Sequence, residues 1–310
     1  MGFQAQATVL TLGIFDGVHL GHQELLKHAK TLAGIHGAAC VAVTFDPHPQ
    51  RVLRPDMAPK LLQSLHDRTR CLVEFGADSV HVVPFTRDLS DLDPLHFLDQ
   101  VLIGQLGAVC IVVGRDYRFG RNRAGDVSTI EVYGKENNIG VHIVDEVQVD
   151  GISARSTIIR NLLTTSNVQM ANRLLGRDWT VRGIVVRGRQ LGRTLGWPTA
   201  NIALDESLLY PGPGIYAGWC DGDFGRRIAA ISIGTNPTVA HHLPVSVEAY
   251  LIDFDGDLYG RQITLGITAW IRSMETFPDL ETLKCRIAED VLVAKQLAGP
   301  ALCKNGDDNG

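Results

Sequence analysis

Short apolar, β-branched runs alternate with helical spacing through the first half of the chain. Thr8–Leu12, Val41–Phe45, Val80–Pro84, Val109–Val113 and Val141–Val144 read as strands. Between the first two, Leu25, Leu26, Ala29 and Leu32 fall on one helical face, and Gly34 is placed to end that helix. Strands separated by helices predict a parallel sheet covered on both faces. Ligands of such sheets bind beyond the carboxyl ends of the strands. Gly13–His22 and Gly114–Gly125 each follow directly on a predicted strand, so both are candidate sites.

A connecting helix is expected next. Ser166 with Gln169 three residues later fits a capping box, and Val168, Ala171, Leu174 and Leu175 share a face before Gly176. After Trp179 the pattern changes. Val181–Val186, Ile215–Trp219, Ile228–Ile233, Val245–Ile252 and Gln262–Trp270 are β-like runs divided by Gly, Pro, Asn and Asp turns. That spacing predicts a small antiparallel barrel or sandwich. A last helical stripe, Leu283, Ile287, Val291, Ala294 and Leu297, packs against it, and the chain from Lys304 reads as a solvated tail. The expected organisation is α/β plus β: residues 1–178, then 179–300, then a tail at 301–310.

Composition narrows the classes. With 310 residues, 45% hydrophobic and 20% charged, the chain has material for two folded domains. The net charge of -5 and the lack of dense basic runs argue against a nucleic-acid partner; Arg115, Arg118, Arg121 and Arg123 suit a local anion site. Six scattered cysteines include no C-x-x-C pair, and no stretch reads as a signal peptide or a membrane span. A cytoplasmic chain with no membrane partner is expected. Oligomeric state is not legible.

The chemistry begins at Gly13-Ile14-Phe15-Asp16-Gly17-Val18-His19-Leu20-Gly21-His22, an H-x-G-H at a strand-to-helix turn. Imidazoles beside free helix N–H groups make a cradle for phosphates, and Gly21 allows close backbone approach. The residues alone leave open two ordinary surface histidines or a metal pair, although no third zinc ligand stands at recognisable spacing. Neither a Walker A sequence nor G-x-G-x-x-G occurs. In the second half, Gly183–Asn201 packs glycines, Gly183, Gly188 and Gly192 among them, around basic residues and ends in P-T-A-N. Glycine turns expose N–H groups to phosphate. Thr199 and Asn201 offer neutral oxygens suited to Mg²⁺ on ATP. A plain hairpin with glycine turns fits the glycines equally well.

The H-x-G-H stretch resembles the HxGH-type nucleotidyltransferases, and Thr11–His22 resembles their flavin adenylyltransferase branch. The likeness continues through Thr44-Phe45-Asp46-Pro47-His48-Pro49, Val113–Gly120 and Gly125-Asp126. It implies a Rossmann-like nucleotidyltransferase α/β domain. By that resemblance Gly13, Phe15, His19, Gly21 and His22 meet the ATP phosphates, while Asp46, His48, Asp116 and Arg118 serve the flavin nucleotide. A helix-starting I-S-S-T-x-x-R grips the triphosphate in such enzymes; here Ser156, Thr157 and Arg160 match it and Arg155 replaces the first serine.

Gly183–Asn201 resembles bacterial riboflavin kinases, as do Pro213–Ala217, Ser232–Thr238, Val247–Gly260, Ile271-Arg272 and Phe277–Leu283. The order is that of bifunctional riboflavin kinase/FAD synthetases and covers all but the tail. It implies a barrel kinase in which Glu248 is the general base, Thr199 and Asn201 hold Mg²⁺ through ATP, and Arg272 contacts flavin or phosphate. Asp253, Asp255 and Asp257 read as a structural turn, lacking the downstream glutamate of a calcium loop. Riboflavin, FMN and ATP are the implied substrates. Two alternatives stand beside this reading: a kinase whose first domain is degenerate at Arg155, and a non-catalytic flavin-binding protein.

Overall fold

A computed structural model describes residues 7–188, 191–235 and 245–303. The packing divides the chain between Ser156 and Thr157 into two compact units.

In the first unit five parallel strands form one sheet: β1 (Thr8–Leu12), β2 (Ala39–Asp46), β3 (Ser79–Pro84), β4 (Ala108–Gly114) and β5 (Gly140–Val144), in the order β3-β2-β1-β4-β5. Both faces are buried. Leu10, Leu12, Ile111 and Val113 pack on one side, and Val9, Cys40, Ala42 and Val112 on the other. That double burial is why the strands read as continuous apolar runs. The helix Leu20–His36 buries Leu25, Leu26, Ala29 and Ala33 against the sheet. It passes Gly34 and is closed by Gly37, whose left-handed φ of 59° supplies the cap. A two-stranded hairpin, β6 (Gln148–Val149) with β7 (Ile152–Ser153), precedes the helix Ser156–Thr164.

The second unit is a closed barrel of β8 (Trp179–Val186), β9 (Ala200–Ile202), β10 (Gly214–Asp221), β11 (Arg227–Thr235), β12 (Val245–Leu251) and β13 (Gln262–Arg272), in the order β10-β11-β12-β9-β8-β13. Alternating residues such as Val247, Ala249 and Leu251 point inward. The helix Val168–Leu175 packs on this barrel. Its Asn172 accepts from the Trp179 N–H at 2.8 Å and donates to the Ile267 carbonyl at 2.8 Å. Packing therefore divides the chain earlier than the expected boundary at 178.

The expected buried stripe of that helix is present, but its cap is Asn167 rather than Ser166. Ser166 takes a left-handed φ of 62° and meets the Tyr216 hydroxyl at 3.0 Å. The final helix runs from Leu280 to Cys303; residues 304–310, where the tail is expected, lie outside the described residues. Ala294 and Ala298 are its buried contacts, while Leu297 faces outward at 43% exposure. Small residues allow the helix to lie close to Ala217 and Ala269.

Candidate functional site

At the carboxyl end of β1 the chain makes a strained turn. Phe15, Gly17 and Val18 all have positive φ, at 56°, 86° and 38°. Two non-glycine residues in that region cost on the order of 1–3 kcal/mol each, so the surroundings must hold them there. Several contacts do so. The Gly13 N–H donates to the Val43 carbonyl at 3.1 Å, and Thr44 Oγ1 donates to the Ile14 carbonyl at 3.0 Å. Asp16 is buried, and both its carboxylate oxygens accept from the Leu62 N–H at 3.0 and 3.1 Å.

The turn delivers His19 to the N-cap of the Leu20–His36 helix. The His19 and His22 rings stack 3.6 Å apart at 21°, with Phe15 edge-on to His22 at 5.0 Å. Gly21 makes room for the pair, since a Cβ there would stand 3.2 Å from the His19 ring. Ser156 Oγ donates to the Asp16 carbonyl at 2.7 Å, bringing the start of the Ser156–Thr164 helix to the turn. Thr157 and Arg160 follow on that helix. The structure thus gathers Gly13, Phe15, His19, Gly21, His22 and Ser156 in one place.

The other expected contacts are more committed to the protein. His48 is buried and caps the Pro49–Leu53 helix, its Nδ1 accepting from the Gln50 N–H at 3.2 Å. Arg118 pairs with Asp126 at 2.6 Å. Asp126 also caps the Val127–Asn137 helix, and the Thr129 backbone N–H is the main force holding its carboxyl below the usual range. Arg115 pairs with Asp145 at 2.6 Å, so two of the four clustered arginines are neutralised locally. Arg155 contacts Glu146 and stands 3.4 Å from Asp116. The bond to Glu146 leads the causes that raise the Arg155 pKa and depress that of Glu146.

Sequence reasoning missed Arg68. The residue is 1% exposed, and its guanidinium donates to the Ile14 carbonyl at 3.0 Å, with Asp46 Oδ1 at 3.4 Å. An arginine inside the polar helical stretch Leu65–Glu74 carries no motif of its own. Sequence reasoning also missed β9, whose three residues follow Pro198 and give no run to detect.

In the barrel, Glu248 lies on β12 opposite Asn201 of β9 and Ser232 of β11. Thr199 Oγ1 donates to Glu248 Oε2 at 3.0 Å. Thr199, Asn201 and Gly188 line a cavity of about 560 Å³ with the Phe254–Tyr259 turn as another wall. A Cβ at Gly188, just past β8, would lie 2.5 Å from the Asn201 side chain, so glycine there lets Asn201 keep its placement. Gly183 lies within β8 and Gly192 in the short helix Leu191–Leu195. A second, more open recess of about 900 Å³ is bounded by Gly234, Met274 and Phe277. Ser232 Oγ approaches Met274 Sδ at 3.9 Å, so β11 reaches this recess as β9 reaches the first. Asn236, Pro237 and Thr238 of the Ser232 stretch lie outside the described residues.

Arg272, the expected flavin or phosphate contact, lies at the end of β13. It is 9% exposed and forms a two-pronged pair with Asp290 at 2.8 and 2.6 Å, fastening β13 to the final helix. In the Asp253–Asp257 turn, Asp257 accepts from the Tyr259 N–H at 3.0 Å and Asp253 pairs with Lys295 at 3.0 Å.

Residues 3–158 match the FAD synthetase family, and residues 175–298 match the riboflavin kinase family. A relative from Pseudomonas fluorescens, a bifunctional riboflavin kinase/FMN adenylyltransferase, is 36% identical over 94% of this chain and 94% of its own. The chain belongs to the bifunctional riboflavin kinase/FMN adenylyltransferase family. Relatives of the same name from Listeria monocytogenes and Escherichia coli K12 are each 35% identical, covering 91% and 95% of this chain and 90% and 94% of their own. A crystal structure from Streptococcus pneumoniae, described as a macrolide-efflux protein, shares the fold of this family member with a TM-score of 0.86. It is 29% identical and is covered over 95% of both chains. Among the described residues here, no helix is long and apolar enough to cross a membrane.

Proposed function

We propose that the barrel unit transfers the γ-phosphoryl group of ATP to riboflavin, and that the first unit transfers the AMP group of a second ATP to the resulting FMN. The observation that carries the kinase reading is the placement of Glu248. It is flanked by Asn201 at a nucleotide-sized cavity and by Ser232 on the strand that reaches the second recess. A base between two recesses can take the proton of the terminal ribityl hydroxyl as that oxygen attacks the γ-phosphorus and ADP departs. The hydrogen bond from Thr199 orients the Glu248 carboxylate.

The Mg²⁺ that such kinases use fits this donor set. Thr199 and Asn201 are neutral oxygen donors on one cavity wall, and no group of three or more potential His, Cys, Asp or Glu ligands occurs among the described residues. Such sites bind the ion through the substrate's phosphates, where it neutralises charge. Thr199 and Asn201 would hold it there.

In the first unit, the FMN phosphate attacks the α-phosphorus of ATP and pyrophosphate leaves. His19 and His22 stand at a helix N-terminus, where their donors and the helix dipole stabilise the departing charge. Ser156, Thr157 and Arg160 supply the remaining hold on the triphosphate by family resemblance, and Asp46, His48, Asp116 and Arg118 the flavin side. A cytoplasmic setting suits both ATP-dependent steps.

The deciding experiment is chromatography of flavins after incubation with Mg-ATP and either riboflavin or FMN. FAD from both, with FMN intermediate in the first, supports two working centres. FMN without FAD supports the kinase-only reading, in which the first unit is degenerate at Arg155. Flavin binding without ATP consumption would support a non-catalytic protein.

A further inference from the structure

Arg68 is a large buried cation in a place where the fold does little to justify it. It sits in the first turn of the helix Leu65–Glu74, whose N-cap Ser64 accepts from the Asp67 N–H at 3.1 Å. The positive end of a helix dipole disfavours a cation there. Burial lowers its pKa, and the nearby Asp16 and Asp46 carboxylates oppose that shift. Its Nε has no hydrogen-bond partner among the described residues. Replacing a buried ion by an apolar side chain of similar volume is often neutral or stabilising, so stability alone is a weak reason for this residue.

Its partners supply a better one. Nη1 donates to the carbonyl of Ile14, which opens the strained turn before His19. Nη2 lies 3.4 Å from both the Phe45 carbonyl and Asp46 Oδ1, at the end of the neighbouring strand. One rigid planar group therefore spans the histidine turn and the Asp46 segment, the two sides between which the reactants of adenylyl transfer would meet.

We propose that Arg68 is a positioning residue for FAD formation, setting the histidine turn and the Asp46 carboxylate in register with each other. The inference rests on the adenylyltransferase reading of the first unit. Lysine cannot replace it fully, because a single ammonium lacks the fork that reaches both sides. Misplacing reacting groups by about 1 Å can cost roughly 10²-fold in rate.

The test compares wild type, Arg68→Lys and Arg68→Met for FMN-to-FAD and riboflavin-to-FMN turnover, with thermal unfolding of each. The expected result is a loss of at least tenfold in kcat for FAD formation in Arg68→Lys, a larger loss in Arg68→Met, and kinase turnover within twofold of wild type. The loss should persist well below the unfolding transition; recovery on cooling would show a merely structural role and overturn the proposal. Should Arg68→Met fail to fold, Arg68→Lys decides. FAD formation within threefold of wild type in the folded Arg68→Lys variant would overturn the inference while leaving the adenylyltransferase reading intact. Absence of FAD from wild type would overturn both.

Discussion

Thr199 and Glu248 are joined by a 3.0 Å hydrogen bond between β12 and the segment leading into β9. The bond ties the P-T-A-N segment to the proposed base, so the residues proposed for nucleotide binding and for proton removal share one contact.

Glu248→Gln keeps the shape of that contact and removes the base. FMN formation from riboflavin should fall roughly 10²–10⁴-fold, with FMN-to-FAD conversion largely unchanged. Separate assays of the two steps on one preparation check this. A loss below about tenfold would remove Glu248 from the base role.

His22→Ala should act in the opposite sense. The stacked pair with His19 is broken, and FAD formation should drop by roughly 10²-fold or more, the scale of losing one charge-stabilising donor. Riboflavin phosphorylation should be spared. Equal damage to both activities would point to a defect in folding.

Arg155→Ser removes the cation that pairs with Glu146 and Asp116. Both carboxylates would then face an incoming polyphosphate without compensation. The KM for ATP in FAD formation should rise roughly threefold or more, and the effect should shrink at 0.5 M salt, as expected for a screened surface charge. A rise in kcat instead would identify Arg155 as an obstruction in this site.

Gly188→Ala places a methyl group within 2.5 Å of the Asn201 amide. Asn201 must rotate away, so the KM for Mg-ATP in the kinase reaction should rise about tenfold or more, the effect of losing a contact worth ~1.4 kcal/mol or more. Thermal unfolding should change little, because the clash is with a side chain that can move. ATP titration at saturating riboflavin checks it.

Thiol labelling tests the burial pattern. Burial pushes Cys40 up to about 11 and Cys220 up to about 12, and Cys71 and Cys110 are buried too. A thiol titrating near 11 is thiolate in only about one molecule in a thousand at pH 8. Cys285 is exposed. Maleimide should therefore label Cys285 rapidly in the native protein, and mass spectrometry of tryptic peptides should find the four buried thiols unmodified until denaturant is added.

Much of the fold was readable because the three central strands of the first sheet are buried on both faces and so form nearly unbroken apolar runs. Val109–Val113 shows this well. Helix ends were less legible. Gly34 and Ser166 had the right chemistry for caps, but Gly37 with its left-handed φ closes the first helix and the Asn167 side chain, accepting from the Met170 N–H, opens the other. Leu297 fitted the helical stripe, yet the close approach of the final helix to Ala217 and Ala269 selects alanines. The H-x-G-H turn, Glu248 and the P-T-A-N segment carried their own motif. Arg68 carried none, since its importance comes from tertiary contacts with residues 54 and 22 positions away.

The shortest strand of the barrel has a disproportionate effect. β9 meets β12 at Asn201 opposite Glu248 and at Ala200 opposite Ala249. Ala249 is fully buried, and its neighbours Val247 and Leu251 point the same way. A slide of β12 by one residue would turn the Glu248 carboxylate into the barrel and an alanine toward the cavity wall. The greasy side of this strand thus works as an index mark for the wet side: the inward residues set the height at which the Glu248 carboxylate stands.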